Sequence, residues 1–266
     1  MWDQLAEGVY RRRYTSLDLN IGLVLGGEGV LVVDTRASTV QAHELVEDLR
    51  RVTALPVRWV VDTHWHWDHT FGNSVFATAP VWAHTECRRV LAARGEEAKL
   101  EVADKVEPER RDEILSVQIR LPDQVFDVEE VIDLGGRSVT LRHHGLGHTE
   151  GDITVTVDGT GVRFAGDLLE QGAPPSFGDG YPISWPATLE RVIVDGIATY
   201  VPGHGDVMTP DQARAQRDEL FTIATMATEA SANRVPVEDI DLDGSPYPSD
   251  VTAEAMVRAY LELAPT

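Results

Sequence analysis

Apolar positions in this chain fall mostly into short runs of three to five residues, broken by turns rich in Gly and Asp. A few longer stretches with helical spacing lie between them. Ile21–Leu25 and Val30–Val33 flank Gly26-Gly27-Glu28-Gly29 and predict a hairpin. Ser38–Thr53 predicts an amphipathic helix with Leu45, Val46, Leu49 and Val52 on one face and Ser38 or Thr39 as its cap. Val57–Val61 predicts a buried strand, Val81–Ala83 another, and residues 85–118 charged helix. Val131–Leu134 with Ser138–Arg142, and Ile153–Val157 with Val162–Ala165, predict two more hairpins across Gly-containing turns. Thr188–Val194 reads as helix and Thr199–Val201 as strand. Two helices follow, near Asp211–Ala230 and Ser249–Leu263, joined by a Pro-, Gly- and Asp-rich loop over Val235–Pro248. Hairpins interleaved with single helices suggest an α+β fold, with sheets that carry helices on their outer faces. The expected organisation is one domain over residues 1–266, with a helical extension from about residue 208.

Composition narrows the function classes. Lys and Arg number 23 against 44 Asp and Glu, a formal charge of −21. That balance argues against a nucleic-acid partner, because phosphate binding calls for a basic surface. The single cysteine, Cys87, excludes an internal disulfide and a cysteine-based zinc cluster; it is expected half-buried on a helix. No apolar run reaches the roughly 18 residues of a membrane helix. The triplet Arg11-Arg12-Arg13 precedes Tyr-Thr-Ser rather than an apolar core, so an export signal is not expected and a cytoplasmic location is. A small molecule is the expected partner, with neither nucleic acid nor membrane.

The chemistry is concentrated in Thr63-His64-Trp65-His66-Trp67-Asp68-His69, which follows the Val57–Val61 strand directly. Four metal-ligand candidates in six residues, all imidazole or carboxylate, suit zinc and other first-row metals. His148 in Gly147-His148-Thr149, Asp167 in Ala165-Gly166-Asp167 and His204 in Gly203-His204-Gly205 each stand at or near a predicted strand end. A sheet can aim several side chains at one point from such positions. Neighbouring glycines permit close backbone approach. Of the other histidines, His43 is expected at the surface and His84 as a helix cap, with His143 and His144 packed or solvated. Asp152 and Thr149 are expected to brace the His148 loop.

In order and spacing these motifs resemble the metallo-β-lactamase superfamily, from Asp34 to His204. The resemblance implies a four-layer αβ/βα sandwich of two mixed sheets with helices outside. It implies a first metal site of His64, His66 and His148, a second of Asp68, His69 and His204, and Asp167 bridging them. Asp34, in Val33-Asp34-Thr35, would support the ligands from behind; Arg36 stands where that motif commonly has Gly. Two Zn2+ per chain are implied, with iron or manganese as alternatives. Two metals can share a hydroxide and clamp a reacting oxygen; Asp68 would orient it and pass a proton to the leaving group. The implied activity is hydrolysis of a small ester, lactone, amide or lactam. An iron-dependent persulfide oxidoreductase and a thioester hydrolase of the glyoxalase II type are the alternatives. Asp at position 167, rather than Cys, points away from the first β-lactamase subclass. The aromatic, Pro-rich stretch Glu170–Trp185 is expected to wall the substrate pocket, through Phe177, Tyr181 and Trp185, together with Trp67.

Overall fold

A computed structural model describes residues 1–264. In chain order its elements are β1 (Asp3–Ala6), β2 (Val9–Tyr14), β3 (Leu19–Leu25), β4 (Val30–Val33), α1 (Thr39–Arg50), β5 (Val57–Val61), α2 (Trp67–Thr70), β6 (Val81–His84), α3 (Thr85–Lys105) and α4 (Pro108–Leu115). There follow β7 (Gln124–Phe126), β8 (Glu129–Asp133), β9 (Ser138–His143), β10 (Ile153–Val157), β11 (Val162–Glu170), α5 (Trp185–Val192), β12 (Thr199–His204), α6 (Pro210–Ala232) and α7 (Ser249–Leu263). Short 3-10 turns cover Ser16–Asp18, Asn73–Phe76 and Val237–Asp239, the last inside the expected 235–248 loop.

Where the chain follows its apolar pattern, local physics accounts for the element. Ser38 Oγ accepts the Gln41 N–H and starts α1, whose Leu45 and Leu49 are buried. Thr209 and Gln212 form a reciprocal capping box at the start of α6, with Pro210 in its first turn. The helical stretch after residue 85 is broken: α3 ends at Lys105, and α4 restarts with Pro108 at its N-terminus. Cys87 is fully buried on α3 rather than half-buried.

The strands form one twelve-stranded mixed sheet rather than two separate ones. Its order is β7-β6-β5-β4-β3-β12-β11-β10-β9-β8, with β2 and β1 branching from β3. The expected gap is closed at a single pair, Leu19 on β3 with His204 on β12. Asn20 reinforces that seam by donating to the carbonyls of Pro202 and Gly205, both at 2.9 Å. The sheet folds over on itself about this seam. Val24, Leu31, Val33 and Val61 from one half pack with Leu141, Val155, Phe164 and Val201 from the other, forming a dry interior. The outer face of the first half packs on α1 through Leu45 and Leu49. That of the second packs on α5, α6 and α7 through Leu189, Leu220, Ile223 and Met256. Layering by helices outside and strands inside therefore holds, while separation into two sheets does not. Parallel pairs β4–β5 and β11–β12 end at the same place, at residues 33, 61, 170 and 204. Sheets of this kind gather ligands at the carboxyl ends of parallel strands.

His144, just past the end of β9, is buried, with Nε2 bonded to Thr154 Oγ1 at 2.9 Å. Burial, with the guanidinium groups of Arg163, Arg142 and Arg191 nearby, holds its pKa down to about 3. A histidine depressed on folding stabilises the native state above its unfolded pKa of about 6.5, and that stability is lost as pH falls. Between pH 7 and pH 5 this residue alone should cost about 2 kcal/mol. His144→Gln, which cannot titrate, should flatten the dependence. Chemical denaturation of both proteins at the two pH values checks it, and equal slopes would refute it.

Candidate metal centre

The first ligand cluster is delivered by the β5 terminus. After Val61 the chain turns through Asp62 and Thr63, presents His64 and His66 from the loop, and enters α2 with Asp68 and His69. Asp34 holds this segment from the end of β4. Its carboxylate accepts the Thr63 N–H at 2.8 Å and the Thr63 hydroxyl at 3.0 Å, and it bonds His69 Nδ1 at 2.8 Å. To do so Asp34 takes a left-handed backbone (φ 65°), as does Arg36 (φ 73°). The turn that a glycine would ease is thus kept with an arginine. Its guanidinium lies over the Tyr14 ring at 3.7 Å and donates to Gln41 O and Glu44, contacts that offset a backbone strain of about 1–2 kcal/mol.

His148 stands in the loop between β9 and β10. Asp152 braces that loop by accepting the Thr149 N–H at 2.7 Å and the Thr149 hydroxyl at 2.6 Å. Asp167 comes from β11, where an irregular register around Gly166 (φ 53°) turns it inward. His204 ends β12. Gly203 beside it has a strict reason to be glycine: a Cβ there would overlap Asp167 Oδ1.

The seven side chains meet. His64, His66, His148 and Asp167 form one group of converging donor atoms, and Asp68, His69 and His204 another, each within 4.8 Å. Asp167 faces both. Its Oδ2 lies 3.6 Å from His64 Nε2, 3.4 Å from His148 Nε2 and 3.4 Å from His204 Nε2, while Oδ1 lies 3.3 Å from His69 Nε2. Asp68 Oδ2 lies 3.3 Å from His204 Nε2 and 3.6 Å from His69 Nε2.

Each imidazole uses its outer nitrogen on an acceptor. His64 Nδ1 meets Thr63 Oγ1, His66 Nε2 meets Asp179, His69 Nδ1 meets Asp34, His148 Nδ1 meets Ser176 O and His204 Nδ1 meets Leu17 O. These partners assign the proton to the outer nitrogen and turn a lone pair toward the centre. Two such inner atoms, His66 Nδ1 and His148 Nε2, stand only 2.8 Å apart. His64 Nε2, His69 Nε2 and Asp167 Oδ1 are buried with no hydrogen-bond partner. Buried lone pairs left unpaired are costly, and a shared cation resolves all of them. An all-imidazole and carboxylate donor set fits zinc or a similar first-row metal.

Electrostatics divide the rings into two sets. Burial and the neighbouring His69 hold His64 well below its usual range, and burial and His66 bring His148 down to about 4, so both stay neutral as ligands must. For His69 and His204, burial acts downward but is outweighed by Asp167 and Asp68, which raise them. Burial acts upward on Asp68, yet His69 and His204 hold it down to about 2. In Asp167, the same two rings and His64 overcome burial and leave it ionised.

The metallo-beta-lactamase superfamily model matches residues 16–204. The chain belongs to that superfamily. It is 30% identical over 212 residues to acyl-coenzyme A thioesterase MBLAC2 of Homo sapiens, across 70% of this chain and 72% of that protein. It is 27% identical over 194 residues to a metallo-beta-lactamase type 2 of Bacillus cereus, across 70% and 67%. Among solved structures, a metallo-beta-lactamase from Pontibacter korlensis superposes with a TM-score of 0.67 at 19% identity, covering 83% of this chain and 98% of that one, a likeness of fold.

In this superfamily member the metal centre opens onto a cleft of about 700 Å³. Trp67 lines it. Phe177 and Trp185 do not: both are fully buried and pack with Leu168, Leu189 and Met256 under α5–α7. Their aromatic character serves the core because the loop folds inward, and Trp185 Nε1 donates to Leu168 O at 3.1 Å. Tyr181 lines a smaller neighbouring cleft and bonds Glu150 through its hydroxyl. The parts of that stretch that line the cleft are Glu170 to Ala173, Ser176, Gly178 and Asp179.

Asp179 was not singled out by any spacing or motif. Its carboxylate bonds His66 Nε2 at 3.0 Å and accepts the Trp65 indole N–H at 2.9 Å. A carboxylate behind a ligating histidine fixes the ring and raises its basicity. Burial pulls His66 down, yet the Asp179 bond outweighs it and leaves the ring raised. Asp179→Ala should weaken metal affinity about 10- to 100-fold, read by competition with a chelator of known strength. Unchanged affinity would show the contact to be incidental.

Of the remaining histidines, His84 Nδ1 accepts the Glu86 N–H and caps α3, and its ring stacks on His143 at 4.1 Å. His43 is exposed. No helix among the described residues is long and apolar enough to cross a membrane.

Proposed function

We propose that this metallo-beta-lactamase-fold protein is a dinuclear metal-dependent hydrolase of a small-molecule acyl bond. The observation that carries the reading is the convergence of five imidazoles with Asp68 and Asp167 in two adjoining groups, where the buried His64 Nε2, His69 Nε2 and Asp167 Oδ1 find no partner in the protein. His64, His66 and His148 would hold one metal, Asp68, His69 and His204 the second, and Asp167 would serve both. Such a pair, when bound, supplies a water acidic enough to ionise near neutral pH and a Lewis acid for the reacting oxygen.

The chain's own residues do the rest. Asp34, Asp179, Ser176 and Leu17 keep the rings in the ligating tautomer. Asp68, on the cleft wall and ionised, orients the attacking water, takes up the proton that water gives off and passes it to the leaving group. Trp67 and Trp65 line the approach and limit water there. Nucleophile and base need no serine or cysteine, and Cys87 is buried with its thiol pushed up, first by burial.

The bond type extends across esters, lactones, amides and lactams. The relation to a thioesterase favours thioesters as a second reading of the same site. Chromogenic ester, thioester, homoserine lactone and nitrocefin, each with zinc and with chelator, test it. Turnover of at least one, abolished by chelator and restored by metal, supports the proposal. Chelator-insensitive turnover overturns it, and one bound iron per chain would favour oxidation instead.

A further inference from the structure

The metal cleft continues past His66. Helix α3 forms one wall, with Arg94, Ala98, Glu101, Val102 and Lys105 on a single helical face toward it. Beyond Arg94 lies a smaller cleft of about 200 Å³, with Arg89, Glu150 and Tyr181 in its lining. Arg94, Asp179 and Arg258 border both cavities.

The two shared guanidinium groups are unlike most arginines here. Arg89, next to them, is committed to Glu86 and Glu150. Arg94 comes no nearer than 3.9 Å to Asp179 Oδ2, an oxygen that already accepts the Trp65 N–H, and it lies over the Trp65 ring at 5.2 Å. Arg258 on α7 spends Nε and Nη2 on the carbonyls of Gly180 at 3.1 Å and Asp179 at 2.9 Å, both neutral. It makes no ion pair among the described residues. A chain of net charge −21 thus keeps two incompletely neutralised guanidinium groups at one constriction. One carboxylate, that of Asp179, separates them from His66.

We infer that Arg94 and Arg258 form an anion-binding subsite, and that the substrate carries a carboxylate or phosphate a few bonds from the acyl bond cleaved. Arginine forks bind either group through paired, charge-assisted hydrogen bonds. The stacking of Arg94 on Trp65 holds one fork in place before the ligand arrives. Asp179 couples the two functions, since it orients His66 on one side and meets Arg94 on the other. This inference rests on the hydrolytic reading above for the position of the scissile bond, though not for the anion site itself.

The test uses the metal-loaded protein and two aryl esters with one leaving group, a neutral butyryl ester and an adipoyl ester ending in a free carboxylate. The parent should prefer the adipoyl ester in kcat/KM by about tenfold or more, and less so as NaCl is added. Arg94→Gln should reduce that preference about tenfold, mainly through KM, and Arg94→Lys should restore part of it. A preference unaffected by Arg94→Gln overturns the subsite. Arg258→Gln is the second variant, with its thermal midpoint recorded because Arg258 also ties down the 179–180 backbone. Calorimetric titration with adipate and with inorganic phosphate separates the two handles: the tighter ion, weakened by Arg94→Gln, names the group. If neither ester turns over while that weakening is seen, the ester arm of the hydrolytic reading fails and the subsite stands. Binding of both ions unchanged by Arg94→Gln refutes the subsite.

Discussion

Asp167→Ala should leave the protein with at most one metal per chain and reduce turnover on the order of a thousandfold. No other carboxylate among the described residues lies within 4 Å of histidines from both clusters. Asp68 meets only His69 and His204, Asp34 only His69, and Asp179 only His66. Without Asp167, His64 and His148 face a buried cavity with no anion, and two divalent cations would share a single carboxylate. Uncompensated charge is expensive to bury. Asp167→Asn keeps the volume and loses the charge, so it should resemble the alanine variant if charge is the cause. Elemental analysis after dialysis, paired with turnover of the best chromogenic substrate, decides the matter. Two retained metals in Asp167→Ala would remove it from the bridging position.

Asp68→Asn should behave differently. It retains an oxygen toward His204 and His69 but cannot take up a proton. Metal content should remain closer to the parent's, while kcat falls about 10²- to 10⁴-fold, the range for a lost general acid–base group. Because Asp68 sits on the cleft wall rather than in the core, the thermal midpoint should move little. Asp68→Ala should likewise cost activity more than folding. A fully loaded Asp68→Asn enzyme with the parent's turnover would assign proton transfer elsewhere, and Glu170, which lines the same cleft, would be next to test.

Much of the architecture was legible because the core obeys simple periodicities. The hairpins at 21–33, 131–142 and 153–165 match β3–β4, β8–β9 and β10–β11, since period-two apolar runs bounded by glycine turns have few other ways to bury themselves. Strand β2 escaped notice because its sequence, Val-Tyr-Arg-Arg-Arg-Tyr, looks polar. Arg11 is nonetheless buried, its charge met by Asp3 and its other donor directed at Asn20 and the Gly205 carbonyl. Pairing of a buried guanidinium with neighbours on other strands leaves no periodic trace. The seam between Leu19 and His204 was equally hidden, because one pair of residues joins what pattern alone divides into two sheets.

The ligand candidates were visible because metal chemistry restricts residue types so severely. Histidine and aspartate packed beside strand ends and glycines carry that meaning in linear order. Which nitrogen of each ring turns inward came only from folding, because it depends on outer partners such as Asp34 and Asp179 that are remote in sequence. The fate of the aromatic loop shows the same limit. Phe177 and Trp185 have composition suited to a pocket wall, but burial under α5–α7 was the more favourable use of their area. Side-chain chemistry was thus determined by sequence alone, whereas direction, pairing and exposure were decided by tertiary contacts that bring together residues far apart along the chain.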